Sequence, residues 1–387
     1  MSDEPTRIVD TPTTDALDVA VNLLWCVPGQ VGGSEEYLVR QLLGLADHAE
    51  FRPKLYCVPG FEAVHTELAN RMEFVVAPVD GASRARRVVT EHSWLARRTT
   101  SAALVHHGGG TAPVVGGRPI VLTIHDIQYE TYPHYVHPLK LRYLRSIVPS
   151  SARRAAVVVV PSEYVRGTVI ERFGLDPDRV CVVRHGVEAG LGGDAGPADE
   201  LRGRYGLGDG PVFVLPAITH PHKGHRFLLE TMARHWDDPE TRLVLLGGAG
   251  AADGEVSAAV SELGLADRVV RPGRVSAADR DGLIALADAL VFPSEYEGFG
   301  APVIEAMALG TPVVASDRTA LPDVVGDAGL VLPLEHEAWA DVPATVASRR
   351  DDLRAAGARR AATFTAAASG SDLAAAYRRA IELGETS

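Results

Sequence analysis

Two glutamates that flank a glycine loop are the side chains of this 387-residue sequence with the most evident chemical use. Glu297 and Glu305 have seven residues between them, and Gly298-Phe299-Gly300 follows the first glutamate directly. Pro302 fits the first position of a helix, so the loop amides are predicted to lie at a helix N-terminus. Such amides and the positive end of the helix dipole suit a phosphate or a sugar hydroxyl. The alternative is an ordinary strand-to-helix turn in which the glutamates only stabilise the dipole.

A lysine with neighbouring histidines forms a second candidate group. Lys223 is predicted to stand at a helix start, and His220 and His222 come just before it. A lysine ammonium in that position can neutralise a diphosphate as a point charge, and the histidines can add hydrogen-bond donors. An exposed lysine in a turn is the alternative.

Glycines and histidines also follow three predicted strands in the first half of the chain. They lie in Gly32-Gly33, in the segment from His106 to Gly110 and in His125-Asp126. Because ligands of parallel sheets bind beyond the carboxyl ends of the strands, we expect these segments to line a cleft. His125 could instead be a hydrogen-bonded structural histidine, and at least one of the pair at positions 106 and 107 could pack in the core.

Alternating strand-like and helical segments must position these residues, and they predict an α/β protein. The expected fold is two Rossmann-like, doubly wound domains that face each other across a cleft. Ser34 is the predicted N-cap of the first helix and Ser371 that of the last. The predicted divisions of the chain are a disordered tail at 1–17, a first domain at 18–190, a linker at 191–210, a second domain at 211–368 and a C-terminal helix at 369–387 that packs back on the first domain.

Composition narrows the range of functions. The chain has 38 basic against 50 acidic residues, which argues against a binder of duplex nucleic acid. Cys26, Cys57 and Cys181 each lie in an apolar run, so buried, reduced thiols and a cytoplasmic location are expected. No apolar stretch approaches the roughly 20 residues that span a bilayer, and the N-terminus is acidic rather than signal-like. Any membrane contact is therefore expected to be peripheral.

Residues 129–145 concentrate tyrosine, histidine and basic side chains. Such a segment could grip an acceptor molecule or lie against the anionic inner face of a membrane. The simpler interpretation is a solvated helix face on which Leu139, Leu141 and Leu144 are partly packed.

The order of these motifs resembles the retaining, nucleotide-sugar-dependent glycosyltransferases of family four, which have the GT-B fold. The resemblance covers most of residues 19–385. Isolated glycine motifs are common, whereas an ordered series across two domains is specific. The segments that carry the resemblance are Gly32-Gly33, Thr123-Ile124-His125-Asp126, Pro161-Ser162, His185-Gly186-Val187, Lys223-Gly224, Leu246-Gly247, Gly273-Arg274-Val275, Glu297 to Glu305 and Gly310-Thr311-Pro312-Val313-Val314.

The resemblance implies roles for the matching residues. Glu297 would contact the hydroxyls of the donor sugar and Glu305 the ribose, while Lys223 would bind the diphosphate. His125 would lie beside the transferred sugar, and it is the second catalytic candidate besides Glu297. The other donor-binding candidates are Gly32, Gly33, His220, Gly247, Val275, Gly298, Phe299 and Gly300. Three residues of the predicted first domain are candidates for contact with the acceptor. They are His107, Asp126 and Tyr129, the last of which begins the segment 129–145.

The same resemblance implies transfer of a hexosyl unit, with retained anomeric configuration, from a nucleoside diphosphate sugar to a hydroxyl of a glycan, lipid-linked or small-molecule acceptor. A mannose-type donor is favoured over other sugars. Neither a cofactor nor a metal is expected, because cations and amides can neutralise the departing diphosphate. The rival functions are a nucleotide-sugar epimerase or phosphorylase on the same fold, and a non-catalytic nucleotide-sugar-binding subunit.

One departure from the family pattern concerns the diphosphate site. Many members carry a second diphosphate-binding arginine at the place where this chain has Ala217 or Ile218. His220 or His222 is the predicted replacement, and Arg184 or Arg274 are the alternatives.

Overall fold

The computed structural model describes residues 16–29, 31–116 and 118–385. Of the predicted disordered tail at 1–17, residues 1–15 lie outside the described residues. The chain divides into two compact units. The first comprises the residues up to Thr123, Ile147–Val159 and the residues from Gly370 onward, and the second comprises Ile124–Ser146 and Val160–Ser369.

The first sheet has seven strands in the spatial order β3-β2-β1-β4-β5-β6-β7. Its register places Asn22 of β1 beside His107 of β4. Short apolar strands such as β6 are buried throughout, as parallel strands covered by helices require. The strands are β1 (Leu17–Leu23), β2 (Phe51–Cys57), β3 (Glu73–Val76), β4 (Leu104–His107), β5 (Ile120–Thr123), β6 (Val157–Val160) and β7 (Val180–Val182).

Helices connect most of these strands. A π-helical turn at Glu91–Leu95 joins two of the helices, and short 3-10 turns occupy Pro133–Tyr135 and Pro177–Arg179. Between β4 and β5, residues 108–116 and 118–119 contain no helix. The helices are α1 (Gly33–Leu45), α2 (Phe61–Val64), α3 (Thr66–Ala69), α4 (Arg84–Thr90), α5 (Ala96–Arg98), α6 (Gln128–Thr131), α7 (Pro138–Arg154) and α8 (Glu163–Phe173).

The second sheet has six parallel strands in the order β10-β9-β8-β11-β12-β13. Its apolar core includes the buried rings of Phe213, Phe292 and Trp339. The strand β13 was not predicted, and its three residues are only half-buried. The strands are β8 (Val212–Pro216), β9 (Arg242–Leu246), β10 (Val269–Gly273), β11 (Ala289–Phe292), β12 (Val313–Ser316) and β13 (Leu330–Leu332).

Helices also alternate with the strands of the second sheet, so the predicted α/β class with two parallel sheets is confirmed. In the described part of the chain, no helix combines the length and apolarity that crossing a membrane requires. The helices are α9 (Ala198–Tyr205), α10 (His225–His235), α11 (Asp253–Glu262), α12 (Ala277–Leu286), α13 (Ala301–Ala308), α14 (Leu321–Val325), α15 (His336–Trp339), α16 (Val342–Ala361) and α17 (Ala366–Glu385).

Both predicted N-caps were wrong. Helix α1 is capped by Gly32, whose φ of 72° is easily adopted only without a Cβ, and its carbonyl accepts the N–H of Glu35 at 2.8 Å. Helix α17 begins several residues before Ser371, because the Thr365 hydroxyl accepts the N–H of Ala368 at 3.0 Å. Part of the predicted linker at 191–210 forms helix α9, which buries Leu201 in the core of the second unit.

Candidate functional site

The loop between β11 and α13 ends at Gly300, which caps the helix with a φ of 95°. A Cβ at this position would lie 2.7 Å from a methyl of Leu321, so both conformation and space require glycine. Pro302 lies in the first turn, one position later than predicted, because the helix begins at Ala301. The amides that precede α13 therefore form the helix terminus that the sequence indicates, since they have no partners within the helix.

A threonine that the sequence analysis missed holds this loop. The Thr319 hydroxyl accepts the N–H of Glu297 at 2.9 Å. Thr319 has a φ of 54°, and it is the single non-glycine residue with positive φ in the part of the chain that the structure describes. A β-branched residue in that conformation is strained. The strained residue is thus the one that holds Glu297 in place, and no sequence pattern indicates that Thr319 adopts this conformation.

Lys223 and Glu297 form an ion pair at this loop. The lysine Nζ lies 2.6 Å from the glutamate Oε1, and 19% and 11% of the two side chains are exposed. The lysine ammonium also lies 5.7 Å from the ring centroid of Phe292. The two residues are separated by 74 positions in the chain. The fold of the second unit thus brings together a cation and a carboxylate that were predicted as two separate candidate groups.

Two backbone contacts connect the turn that carries Lys223 with the glycine loop. The N–H of Glu295 donates to the carbonyl of His222 at 2.8 Å. Gly224 packs so closely against Pro293 that a Cβ would lie 2.1 Å from its carbonyl oxygen. The position of Lys223 relative to Glu297 is therefore set by the backbone as well as by the ion pair.

The histidines beside Lys223 are neutral at physiological pH. Burial, followed by the positive charge of Lys223, lowers the pKa of His222 to about 3. Burial and the same lysine also lower the pKa of His220. The two rings stack with their centroids 5.8 Å apart. Without a ligand, these side chains can supply hydrogen-bond donors, but they do not supply the second positive charge.

The buried histidines predict a pH effect on stability. Burial lowers the pKa of His225 to about 4, so His222 and His225 take up protons above pH 4 mainly in the unfolded chain, where their pKa is about 6.5. Their contribution to stability is intact above about pH 6.5 and is lost progressively toward pH 3. Between pH 7 and pH 5, we expect the free energy of unfolding, measured by urea denaturation, to fall less in the His222→Asn variant than in the wild type. If it fell as steeply in His222→Asn as in the exposed-histidine control His137→Asn, burial of His222 would not be the cause of the pH effect.

His125 and Asp126 lie against the glycine loop within the second unit. A Cβ on Gly298 would lie 2.4 Å from the His125 carbonyl oxygen and 3.2 Å from Asp126 Cβ. The Ser162 hydroxyl donates to the Gly298 carbonyl at 2.6 Å, which adds a second residue that the site predictions did not include. The backbone of His125 thus lies against the glycine loop, while its predicted place beside a transferred sugar stays a prediction.

The ends of β8 and β9 form a compact wall next to the Lys223 turn. A Cβ on Gly247 would lie 2.4 Å from the Ala217 carbonyl oxygen, so the two strand ends touch through their backbones. Thr219 accepts the N–H of Gly250 at 2.7 Å and donates to Asp253. The exposed Arg274 lies beside Gly248, where a Cβ would be 3.0 Å from its Nε. Arg274 is therefore a cation near the wall from which the family's arginine is missing.

Several predicted contact residues have buried side chains. Phe299 is 4% exposed and stacks on His185 with a centroid distance of 4.6 Å, so only its amide can serve a ligand. Tyr129 is 8% exposed, which leaves little surface for an acceptor. Glu305 is 5% exposed inside α13, and Val275 is half-buried against the core.

In the first unit, Gly32 and Gly33 have open space where a Cβ would be. His107 is buried, with its Nδ1 3.0 Å from Asn22 Nδ2, and burial lowers its pKa to about 3. His106 packs in the core as the alternative interpretation allowed, because its ring bonds Tyr377 at 2.8 Å and Thr123 at 2.7 Å.

The aromatic and basic segment at 129–145 presents more apolar surface than predicted. Leu139 is 76% exposed rather than partly packed. Tyr132 and Tyr135 stack with a centroid distance of 5.5 Å. Cys26 and Cys57 are buried free thiols as expected, whereas Cys181 is partly exposed at the short strand β7.

Comparison with known proteins supports the interpretation of both halves. Residues 31–190 match the family model described as Glycosyltransferase Family 4, and residues 210–348 match the model described as Glycosyl transferases group 1. The O-antigen chain mannosyltransferase B of Escherichia coli is 33% identical over 217 residues, which cover 54% of this chain and 56% of that protein. The alpha-maltose-1-phosphate synthase of Mycolicibacterium smegmatis is 32% identical over 66% of each chain. The chain therefore spans about half the length of relatives such as the mannosyltransferase of Escherichia coli.

Solved structures share the fold over nearly the whole chain. HepE from Anabaena, in complex with UDP and glucose, has a TM-score of 0.73 at 21% identity and covers 93% of this chain and 98% of its own. Sucrose-phosphate synthase from Thermosynechococcus elongatus has a TM-score of 0.74 at 20% identity, with 96% and 100% covered. The two parallel-sheet domains therefore constitute a GT-B fold. Within that fold, the chain belongs to the family 4 glycosyltransferases.

Proposed function

We propose that this protein transfers a hexosyl unit from a nucleoside diphosphate sugar to a hydroxyl acceptor, with retention of anomeric configuration and without a metal. The observation that carries the proposal is the Lys223–Glu297 ion pair of 2.6 Å beside the glycine-capped N-terminus of α13. A cation, a carboxylate and helix-terminal amides at one place match the three needs of such a donor: its diphosphate, its sugar hydroxyls and its leaving-group charge.

In the proposed reaction, the donor diphosphate takes the ammonium of Lys223 away from Glu297. The Glu297 carboxylate then accepts hydrogen bonds from sugar hydroxyls, and Glu305 serves the ribose. The bond between the anomeric carbon and the phosphate oxygen breaks, and its electron pair leaves with the phosphate. The acceptor oxygen bonds to the same face of the anomeric carbon, and its proton passes to the departing phosphate oxygen. His125 would line the space beside the transferred sugar.

The second cation is the part of the site that differs from the family pattern. We propose that His220 and His222 donate hydrogen bonds to the diphosphate as neutral rings, and that Arg274 supplies charge at the end of β9. Changing both histidines to alanine should weaken donor binding. If the double variant bound the donor as tightly as the wild type, the proposed role of the histidines would be wrong, and Arg274 would be the compensating residue.

The donor base and sugar can be identified by ligand stabilisation. We favour a mannosyl donor because relatives such as the E. coli protein are named mannosyltransferases, whereas HepE was crystallised with UDP and glucose. A donor at 100 times its dissociation constant should raise the unfolding free energy by about 2.7 kcal/mol. Thermal unfolding with GDP-mannose, UDP-glucose and dTDP-glucose will separate them, and Lys223→Ala should abolish the shift. Equal shifts in both proteins would place binding elsewhere.

The reaction type can be tested by incubating the protein with the stabilising donor alone. Slow release of nucleoside diphosphate and free sugar supports transfer, with water acting as a poor acceptor. A changed sugar on an intact nucleotide would identify an epimerase instead. Stabilisation without any turnover, in the presence of a broad panel of hydroxyl acceptors, would favour the non-catalytic binding subunit.

A further inference from the structure

A cavity of about 570 Å³ lies in the first unit, and the residues that line it all belong to that unit. It lies over β4 and β5, whose connection contains no helix among residues 108–116 and 118–119. Parallel neighbours are usually joined by a crossover helix that packs on the sheet, so the cavity occupies space that such a helix commonly fills. Its volume is within the range of small-molecule sites.

The inner end of the cavity has a polar group of defined hydrogen-bond polarity. The Leu24 N–H donates to Asn22 Oδ1 at 3.1 Å, which fixes the amide so that Nδ2 points to His107 and Glu91. This Nδ2 lies 3.0 Å from His107 Nδ1 and 3.2 Å from Glu91 Oε1. Because an amide nitrogen only donates, His107 Nδ1 must accept, and the proton of the neutral ring is on Nε2.

Both side chains that line this inner end are buried and have unused capacity. His107 is 4% exposed and Glu91 is 5% exposed. Among the described residues, neither His107 Nε2 nor Glu91 Oε2 has a hydrogen-bond partner. A ring N–H donor and a carboxyl acceptor on two neighbouring buried residues match a hydroxyl, which can accept from the ring N–H and donate to the carboxyl.

The open end of the cavity is basic. Arg97 and Arg118 line it and are exposed. Arg118 Nε donates to the Thr100 carbonyl at 2.7 Å, whereas the Arg97 guanidinium has no hydrogen bond or ion pair with any described residue. The walls between the two ends are largely apolar and include Leu95, Val105 and Ile120. Guanidinium groups bind phosphate and carboxylate oxygens in a fixed geometry.

We propose that this cavity binds a small hydroxylated organic anion of the size of a hexose phosphate, with a hydroxyl at His107 and Glu91 and the anionic group at Arg97. This site is independent of the donor site proposed above. The site is formed by residues of the first unit, and the inner and open ends of the cavity bind two different groups of the same ligand.

Calorimetric titration of the full-length protein with glucose 6-phosphate and with gluconate tests the proposal. Binding of at least one should be roughly tenfold or more tighter than binding of sorbitol or inorganic phosphate, each of which lacks one of the two groups. Arg97→Glu should weaken it by a similar factor. The matched control is Arg98→Glu, since Arg98 stacks on Trp94 at 4.9 Å and does not line the cavity.

Two further measurements keep the outcome unambiguous. Lys223→Ala should leave the titration unchanged, so binding that is lost in this variant would assign the anion to the donor site and overturn the inference. In a spectrum of ¹⁵N-labelled histidine, the His107 signals should show the Nε2–H tautomer and should shift on ligand addition. Absence of heat with both anions, equal effects of the two arginine variants, or an unshifted His107 would each refute the proposal.

Discussion

Replacement of Lys223 by alanine is expected to lower donor turnover by roughly 10²–10³-fold. The ammonium pairs with Glu297, the residue directly before the glycine loop that leads into α13, and its loss removes the charge that is proposed to stabilise the departing diphosphate. It also leaves the Glu297 carboxylate, which is 11% exposed, without its partner at 2.6 Å. Steady-state rates of nucleoside diphosphate release measure the effect, and Lys140→Ala on an exposed helix face is the control.

A double variant separates the two consequences of losing Lys223. If the lysine served only to neutralise Glu297, then Lys223→Ala combined with Glu297→Gln would recover donor affinity. If the lysine binds the diphosphate, the double variant remains as weak as Lys223→Ala. Recovery in the double variant would therefore contradict the proposed role.

Gly224→Ala is expected to reduce donor binding by roughly 100-fold, although the glycine carries no functional group. Its φ of 71° already disfavours alanine, and the new methyl would lie 2.1 Å from the Pro293 carbonyl oxygen. The turn that carries Lys223 must then move away from the glycine loop by a large part of an ångström. A displacement of this size withdraws the ammonium from the proposed diphosphate position, and a hydrogen bond to a charged group is worth about 1.5–3 kcal/mol, which corresponds to a loss of affinity of up to roughly 100-fold.

The control for Gly224 is a glycine with the same backbone strain and free space. Gly264 has a φ of 67° and no atom within 4 Å of a Cβ. Gly264→Ala should therefore lower the stability by roughly 1–2 kcal/mol and leave donor affinity unchanged. Calorimetric titration with the donor, together with thermal unfolding of both variants, makes the comparison. Equal affinities in the two variants would show that the contact with Pro293 does not position Lys223.

The main elements of the candidate site followed from sequence because they depend on local rules. Glycines before Pro302 specify a helix terminus, and a lysine after a strand end specifies a cation at the same edge of a parallel sheet. Strand alternation predicted both sheets, and burial at both faces makes such strands easy to recognise. Thr319 and Ser162 could not be found in this way, since each acts through one hydrogen bond to a distant backbone group.

The two helix N-caps and the cavity differ from the sequence predictions for physical reasons. Ser34 and Ser371 satisfied the composition rule for N-caps, but Gly32 and Thr365 satisfied the backbone geometry. The cavity over β4 and β5 was not predicted, because it depends on a connection whose described residues form no helix, and no sequence pattern indicated that space on the sheet would stay open. The tautomer of His107 required the register that places Asn22 beside it.

The Lys223–Glu297 ion pair has a consequence for the products. An anion that enters the ligand-free site must displace a carboxylate whose oxygen already lies 2.6 Å from the ammonium. The electrostatic free energy of binding is therefore only the difference between the new ion pair and the one that is broken. In the proposed reaction, a nucleoside diphosphate sugar would compensate Glu297 with its hydroxyls, whereas a nucleoside diphosphate alone would offer the carboxylate no hydroxyl of a sugar. The internal counterion would thus weaken binding of the spent donor and of inorganic phosphate, which would promote product release and limit product inhibition.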